Sequence, residues 1–269
     1  MRFRFIAAVF GAAIVSRLSN RLPRALIRTV IAFPLATLLG CGTLIDRGIF
    51  GDFENTLNTT PHGYQVVDDP TGQATTTRVE RFEVRAGDCS SDRWGWSDCA
   101  NDRERSELAQ LNRRFTDGVY WYGWSLYIPD DFPIIWPVKT SLGQFHQHNS
   151  HPIWMVQLMP GGMYLDRQTS RGTVRLFPLL REDELRGRWH RFEVHVRWSR
   201  QRDGFLNVWV NGELKVNYAG PTFFGENVYF KYGIYRTFVS RSAVVPVPTQ
   251  IALFANVRAA RTREGLQSR

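Results

Sequence analysis

The sequence has few cysteines, no repeat and no long apolar run, and these absences limit what the protein can be. Three cysteines occur in 269 residues, and no second cysteine pair or histidine pair lies at zinc-site spacing. No fixed-period repeat is visible, which argues against a repeat architecture. The apolar run at 29–39 contains a proline and is shorter than the about 20 residues of a typical membrane-spanning helix.

Basic charge is concentrated at the N-terminus. The formal net charge is +9, and residues 1–40 contain six arginines and no acid, so the rest of the chain carries only about +3. A mildly basic protein suits an anionic substrate, whereas a large nucleic-acid footprint needs more charge. No helix-turn-helix, zinc or RNP pattern is present, and we expect no nucleic-acid partner.

Residues 1–40 have the features of an export signal. Arginines precede the apolar run, which ends at Gly40-Cys41. The segment 38–41 resembles the lipobox of bacterial lipoproteins, which implies acylation of Cys41. Two alternatives stay open: the given sequence starts upstream of the true first residue, or its apolar runs form a simple membrane anchor. We expect a secreted, periplasmic or surface-anchored protein, with a linker at 41–63, one domain at 64–260 and a tail at 261–269.

The remaining cysteines, Cys89 and Cys99, are ten residues apart. In an exported protein such a pair predicts a disulfide closing the loop between them. A loop this short stabilises the fold by about 2–3 kcal/mol on the chain-entropy estimate.

From residue 77 onward, apolar and polar residues alternate with period two, which predicts strands. Asn211-Gly212 predicts a tight hairpin turn, because both residues tolerate positive φ. A short charged helix is predicted at 181–186. About a dozen strands with almost no helix indicate an all-β sandwich of two antiparallel sheets. The predicted strands are 64–67, 78–85, 105–110, 119–128, 142–148, 153–159, 172–177, 189–198, 205–210, 214–218, 228–235 and 250–258.

Three predicted strands place polar residues on alternate positions, so that those residues share a face. The intervening residues, such as Phe145 and Phe230, suit a buried face. A sheet of this kind would carry a polar, cationic groove over an apolar core. The residues on the groove face are Arg105, Glu107, Gln144, His146, His148, Tyr229, Lys231, Gly233 and Tyr235.

The segments Arg-Ser-Glu-Leu at 105–108, Gln-Phe-His at 144–146 and Tyr-Phe-Lys-Tyr-Gly-Ile-Tyr-Arg at 229–236 resemble the signature strands of jelly-roll polysaccharide lyases. Alginate lyases of family seven carry similar motifs, and the chain as a whole is similar to the heparin-lyase-I-like and glucuronan lyase group. The resemblance covers about residues 64–258. It implies a concanavalin-like β-jelly roll with a concave substrate groove, and cleavage of a uronic-acid polysaccharide by β-elimination.

The resemblance also implies roles for the matching positions. Arg105 and Gln144 would bind and neutralise the uronate carboxylate, His146 would take part in removing the C5 proton, and Tyr235 would protonate the leaving oxygen. Glu107 would hold Arg105. The remaining substrate-binding positions would be Lys231, Tyr229, His148 and Arg236.

Ala109 departs from the alginate lyase pattern, which has a second arginine there, so alginate specificity does not follow. The resemblance implies no organic cofactor, and in some relatives a structural calcium, for which the sequence assigns no ligands. We expect a monomer that acts on an anionic polysaccharide. Trp94 and Trp96, inside the predicted disulfide loop, either stack on sugar rings or pack beneath the loop.

Two other functions stay open at this point. A retaining glycoside hydrolase needs two carboxylates about 5–5.5 Å apart. No predicted strand carries such a run of acids, and Glu182-Asp183-Glu184 falls in a predicted loop or short helix, which argues against this function. A lectin-like sandwich would use the same arginine, glutamine and lysine to hold an acidic glycan. A pure binder has no use for a proton donor such as Tyr235 beside a base such as His146.

His195 is expected on the solvated face of its strand.

Overall fold

The structure is a computed structural model that describes residues 47–110, 115–169 and 171–267. The predicted export signal and Cys41 lie outside the described residues. The strands are β1 (Glu54–Asn55), β2 (Tyr64–Asp68), β3 (Arg78–Val84), β4 (Arg103–Ala109), β5 (Gly118–Tyr127), β6 (Lys139–Gln147), β7 (Pro152–Met159), β8 (Gly162–Thr169), β9 (Gly172–Arg181), β10 (Trp189–Trp198), β11 (Phe205–Val210), β12 (Glu213–Ala219), β13 (Val228–Thr237) and β14 (Gln250–Ala260). One short helix, α1 (Glu182–Leu185), and two 3₁₀ turns, Val239–Arg241 and Glu264–Leu266, accompany them in the described chain.

The strands form two antiparallel sheets of seven strands each. The site sheet has the order β1-β4-β13-β6-β7-β8-β9, and the back sheet has the order β12-β11-β10-β5-β14-β3-β2. Consecutive positions along a strand face opposite sides, and the apolar face of each sheet is buried in the common core. The predicted all-β jelly-roll sandwich is confirmed.

Strand β10 shows how the sequence produces this packing. Phe192, Val194, Val196 and Trp198 are buried in the core, and Phe192 stacks on Trp124 of β5 with ring centroids 5.1 Å apart. Residues between them face outward, as the sequence predicts for one wet face. His195 belongs to that outer face, where it stacks on the Trp121 ring at 4.1 Å.

The predicted hairpin turn is confirmed, because Asn211 and Gly212 connect β11 to β12 with φ of 53° and 85°.

Two of the observed strands, β1 and β8, were not predicted from the sequence. β1 has only two residues, and β8 reads as polar at Asp166, Arg167 and Gln168, which hides the alternation of its buried residues.

The boundary predictions for the domain need correction at both ends. The part of the predicted linker that is described, 47–63, contributes β1 to the site sheet and buries Phe53. In the predicted tail, Arg263 pairs with Glu193 of β10 at 2.5 Å. Both segments therefore belong to the folded domain. No helix in the described ranges is long and apolar enough to cross a membrane.

Candidate active site

Three neighbouring strands of the site sheet bring the predicted residues together. β13 pairs with β4 on one side and β6 on the other, so Tyr235 lies opposite Arg105 and Lys231 lies opposite Gln144. Residues separated by more than one hundred positions in the chain therefore share one surface. The site cluster consists of Arg105, Glu107, Gln144, Lys231 and Tyr235.

Glu107 is the centre of this cluster. Its carboxylate accepts hydrogen bonds from the Gln144 amide at 2.5 Å, from the Lys231 ammonium at 2.6 Å and from the Arg105 guanidinium at 3.3 Å. The carboxylate is buried, and hydrogen bonds to an ionised group are the strong ones. Glu107 thus positions three donors, not only Arg105 as the resemblance implied.

Asp98 is a site residue that the sequence did not predict. Its two oxygens accept from Arg105 Nε at 2.5 Å and from Arg105 Nη2 at 2.6 Å, a bidentate pair. Asp98 is adjacent to Cys99, and the predicted disulfide to Cys89 is confirmed, with Cα atoms 5.2 Å apart. The bond closes a loop whose final turn carries Asp98 to Arg105. Only the folded loop reveals this contact, because nothing local in the sequence distinguishes Asp98 from the other acids nearby.

Charges in the site cluster are balanced once its neighbour Asp98 is included. Arg105 and Lys231 supply two cations, and Asp98 and Glu107 supply two carboxylates, all within direct ion-pair distance. The sequence predicted a cationic groove, but at its centre the cations are already compensated. What the site offers to a ligand there is a set of oriented N–H groups rather than net charge.

Burial shifts the titration of the groups that could move protons. Burial raises the pKa of Tyr235 to about 12, although Arg105 and Arg103 act in the opposite direction. Burial lowers the pKa of Lys231 to about 8, against the attraction of Glu107. At neutral pH the Tyr235 phenol is therefore protonated and can donate a proton.

His146 follows on the same face of β6. Its Nδ1 lies 2.7 Å from the Gln147 carbonyl, which can only accept, so we assign the proton to Nδ1. The Tyr229 hydroxyl is 3.2 Å from the same nitrogen. Nε2 then carries a lone pair. Burial, and next Lys231, lower the pKa of His146 to about 3, which keeps the ring neutral in the free protein.

A bulge in β13 sets the position of Tyr235. Pairing with β6 is interrupted between Tyr232 and Tyr235, where Gly233 has a φ of 122°. A Cβ at Gly233 would lie 2.3 Å from the Ser106 carbonyl oxygen of β4. Only glycine allows this close approach. The bulge shifts Tyr235 by one residue relative to β6, while its pairing with β4 is unbroken.

One of the predicted substrate-binding residues lies on the other face of the site sheet. Arg236 is fully buried on the opposite face of β13, where it pairs with Glu104 and donates to the Pro248 and Arg85 carbonyls. Its assignment was wrong, because strand alternation places it with Tyr232 and not with Tyr235. His148 lies just beyond β6, half-buried, and lines a hollow of about 750 Å³ with His151 and Phe224.

No group of three or more His, Cys, Asp or Glu side chains in the described ranges could hold a metal ion. The structural calcium found in some relatives stays an expectation for this chain.

The fold is shared with known lyases. An endo-β-1,4-glucuronan lyase from the fungus Trichoderma reesei superposes with a TM-score of 0.58 at 14% identity, covering 84% of this chain and 92% of that chain. An alginate lyase from Corynebacterium sp. gives 0.52 at 15% identity, covering 75% and 82%. An alginate lyase from Pseudomonas aeruginosa gives 0.50 at 18% identity, covering 78% and 98%. At these identities the likeness establishes the fold.

A search of curated proteins gives no match. A family model described as polysaccharide lyase matches residues 45–258, which is most of the chain and includes every member of the site cluster. The chain belongs to the polysaccharide lyase family.

Proposed function

We propose that this enzyme cleaves a uronic-acid-containing polysaccharide of the glucuronan, alginate or glycosaminoglycan type by β-elimination. The observation that carries the proposal is the pairing of a protonated phenol, Tyr235, with a neutral imidazole, His146, on either side of a buried cluster of N–H donors. Elimination needs one group that accepts the C5 proton and another that protonates the leaving oxygen. A glycan-binding protein needs neither.

The donors stabilise the charge that develops on the uronate. Removing the proton next to a carboxylate concentrates negative charge on its oxygens, and N–H groups held in place beforehand lower that barrier. A guanidinium has five N–H groups, and three of those on Arg105 are used by Asp98 and Glu107. The other two, and the second N–H of the Gln144 amide, are left for the carboxylate.

The reaction then runs with balanced protons. His146 Nε2 accepts the proton from C5, and the electrons of that C–H bond form the C4–C5 double bond. The C4–O bond breaks, and Tyr235 donates its phenolic proton to the departing oxygen. Loss of the imidazolium proton to solvent and return of a proton to the phenolate restore the free enzyme.

Substrate binding activates the base. In the free protein the low pKa of His146 makes it a weak base. A bound carboxylate adds an anion next to a ring that otherwise faces Lys231 and Arg105, and an anion within about 4–6 Å raises an imidazole pKa. The base thus strengthens when the uronate is in place.

Export is part of the proposal. The Cys89–Cys99 disulfide fits an oxidising compartment, and the family resemblance favours secretion because a polymeric substrate lies outside the cell. Acylation of Cys41 and a monomeric state stay predictions.

A substrate panel tests the function. The purified enzyme is incubated with polyglucuronate, alginate and heparin, and the ultraviolet absorbance of unsaturated uronates and the number of reducing ends are followed. We expect both to rise together on at least one polymer, and Tyr235→Phe to abolish the rise while folding is unchanged. New reducing ends without absorbance would mean hydrolysis, and binding without either signal would mean a lectin.

A further inference from the structure

The disulfide loop is a small, well-braced hairpin beside the site cluster. Within it, Ser91 bridges Ser97, and the Asp92 amide donates to the Trp96 carbonyl at 2.8 Å. The Asp92 carboxylate in turn accepts from the amides of Trp94 and Trp96 at 2.8 and 2.9 Å. Together with the disulfide, these bonds fix the direction in which the loop presents its two indoles.

Both indoles expose apolar surface to solvent, Trp94 far more than Trp96. Trp94 is 81% exposed, so for this residue packing beneath the loop, one of the two sequence-based interpretations, is wrong. Trp96 is 41% exposed and keeps part of its ring available to a ligand. Exposed apolar surface of this size is unfavourable in water and marks interaction sites. The Arg93 guanidinium lies 4.6 Å from the centre of the Trp94 ring, so a cation accompanies the aromatic face.

A single carboxylate joins this hairpin to the site. Trp96 Nε1 donates to Asp98 Oδ1 at 2.9 Å, and the same oxygen accepts from Arg105 at 2.6 Å. The two indoles therefore lie next to the β4 side of the site cluster. A polymer that crosses the site sheet in the order β6, β13, β4 would reach them after it has passed the cluster.

We propose that Trp94 and Trp96, with Arg93, form a stacking subsite for a pyranose ring of the acidic polymer, beyond the sugar that is cleaved. This inference rests on the proposed function. The C–H face of a sugar ring is apolar and buries well against an indole, and Arg93 can pair with that sugar's carboxylate. The subsite holds long chains and plays no part in the proton transfers.

Binding measurements on an inactive enzyme test the subsite without relying on turnover. In the Tyr235→Phe background, affinity for a polymer that the active enzyme cleaves is measured by calorimetry, with and without Trp94→Ala. We expect the second substitution to weaken binding about tenfold, which corresponds to about 1.4 kcal/mol. Trp94→Phe should recover most of that loss, because it restores an aromatic face. Trp209→Ala, on the back sheet, is the matched control and should change affinity less than about twofold.

In the active enzyme, Trp94→Ala should raise KM for the polymer with kcat within about twofold, because the subsite contributes binding that is equal in ground and transition states. Equal affinities of parent and Trp94→Ala, with lyase activity intact, would overturn the subsite and leave the function standing. A loss that Trp209→Ala reproduces would also overturn it. Absence of cleavage and binding on every polymer would overturn both proposals.

Discussion

The pH dependence of kcat/KM distinguishes His146 from Tyr235 as the base that takes the C5 proton. With a pKa of about 12, the phenolate form of Tyr235 makes up only about one part in 10⁵ at pH 7. Using that form would cost about 7 kcal/mol before any chemistry. Neutral His146, with a pKa of about 3, is fully available at the same pH.

We therefore expect kcat/KM to stay flat from about pH 5 to 7.5 and to fall above about pH 8. The fall follows from Lys231, whose pKa is about 8. Loss of its proton leaves Glu107 with one cation fewer, so the site carries excess negative charge and repels the uronate. The slope should approach tenfold per pH unit if the neutral lysine form binds no substrate.

Initial rates of absorbance increase at low substrate concentration, measured in buffers of constant ionic strength, give this profile directly. Lys231→Arg keeps the cation at every pH in the range and should shift the fall to higher pH. Lys215→Arg, on the back sheet, should leave the profile unchanged. A tenfold increase per pH unit between pH 6 and 8 would refute the reasoning and identify the Tyr235 phenolate as the base.

Three further predictions concern the support of the site and the core. Asp98→Asn should lower kcat/KM about 10²-fold, mainly through kcat, because Arg105 loses its bidentate partner and small misplacements are costly; steady-state kinetics measure the split. Removing the Cys89–Cys99 bond with Cys-to-Ser substitutions should reduce the free energy of unfolding by about 2–3 kcal/mol and lower activity. Urea unfolding measures the first effect, and initial rates measure the second. Burial raises the pKa of Glu80 to about 7 from 4.5. The folded state therefore holds this proton more tightly than the unfolded state, so the contribution of Glu80 to stability is largest below pH 4.5 and is lost as the pH rises through 7, by up to about 3 kcal/mol. Glu80→Gln should make the free energy of unfolding, measured in urea, less dependent on pH between pH 5 and 8.

How far the sequence predicts this site depends on whether a feature is local. The shared face of Arg105 and Glu107 follows from strand period alone, and so does that of Tyr229, Lys231 and Tyr235. The same rule, applied consistently, puts Arg236 in the core. Its charge suggested a ligand contact, but alternation decides which face it occupies.

Features that depend on tertiary contacts were not predictable. The reach of Asp98 across the disulfide loop, and the meeting of three donors at Glu107, depend on strand order that no local pattern encodes. The same holds for charge balance. Composition gives the number of cations, but only the fold shows that Arg105 and Lys231 are already paired.

This balance leads to a last prediction, on esterified substrates. In solution, esterifying a uronate makes its C5 proton easier to remove, so a site that acted through N–H donors alone would cleave the methyl ester at least as fast as the acid. In the proposed mechanism, the anion of the substrate raises the pKa of His146 from its value of about 3 in the free protein, and the ester lacks that anion. We therefore expect methyl esterification of the preferred polymer to slow cleavage at least about 10²-fold in kcat. Partial de-esterification should restore the rate in proportion to the free carboxylates. The rates on ester and acid are measured by absorbance, with reducing ends as the control. Equal rates would show that the substrate carboxylate does not raise the pKa of His146. The pairing of the cations with Glu107 would then be a consequence of burial alone and would not contribute to catalysis.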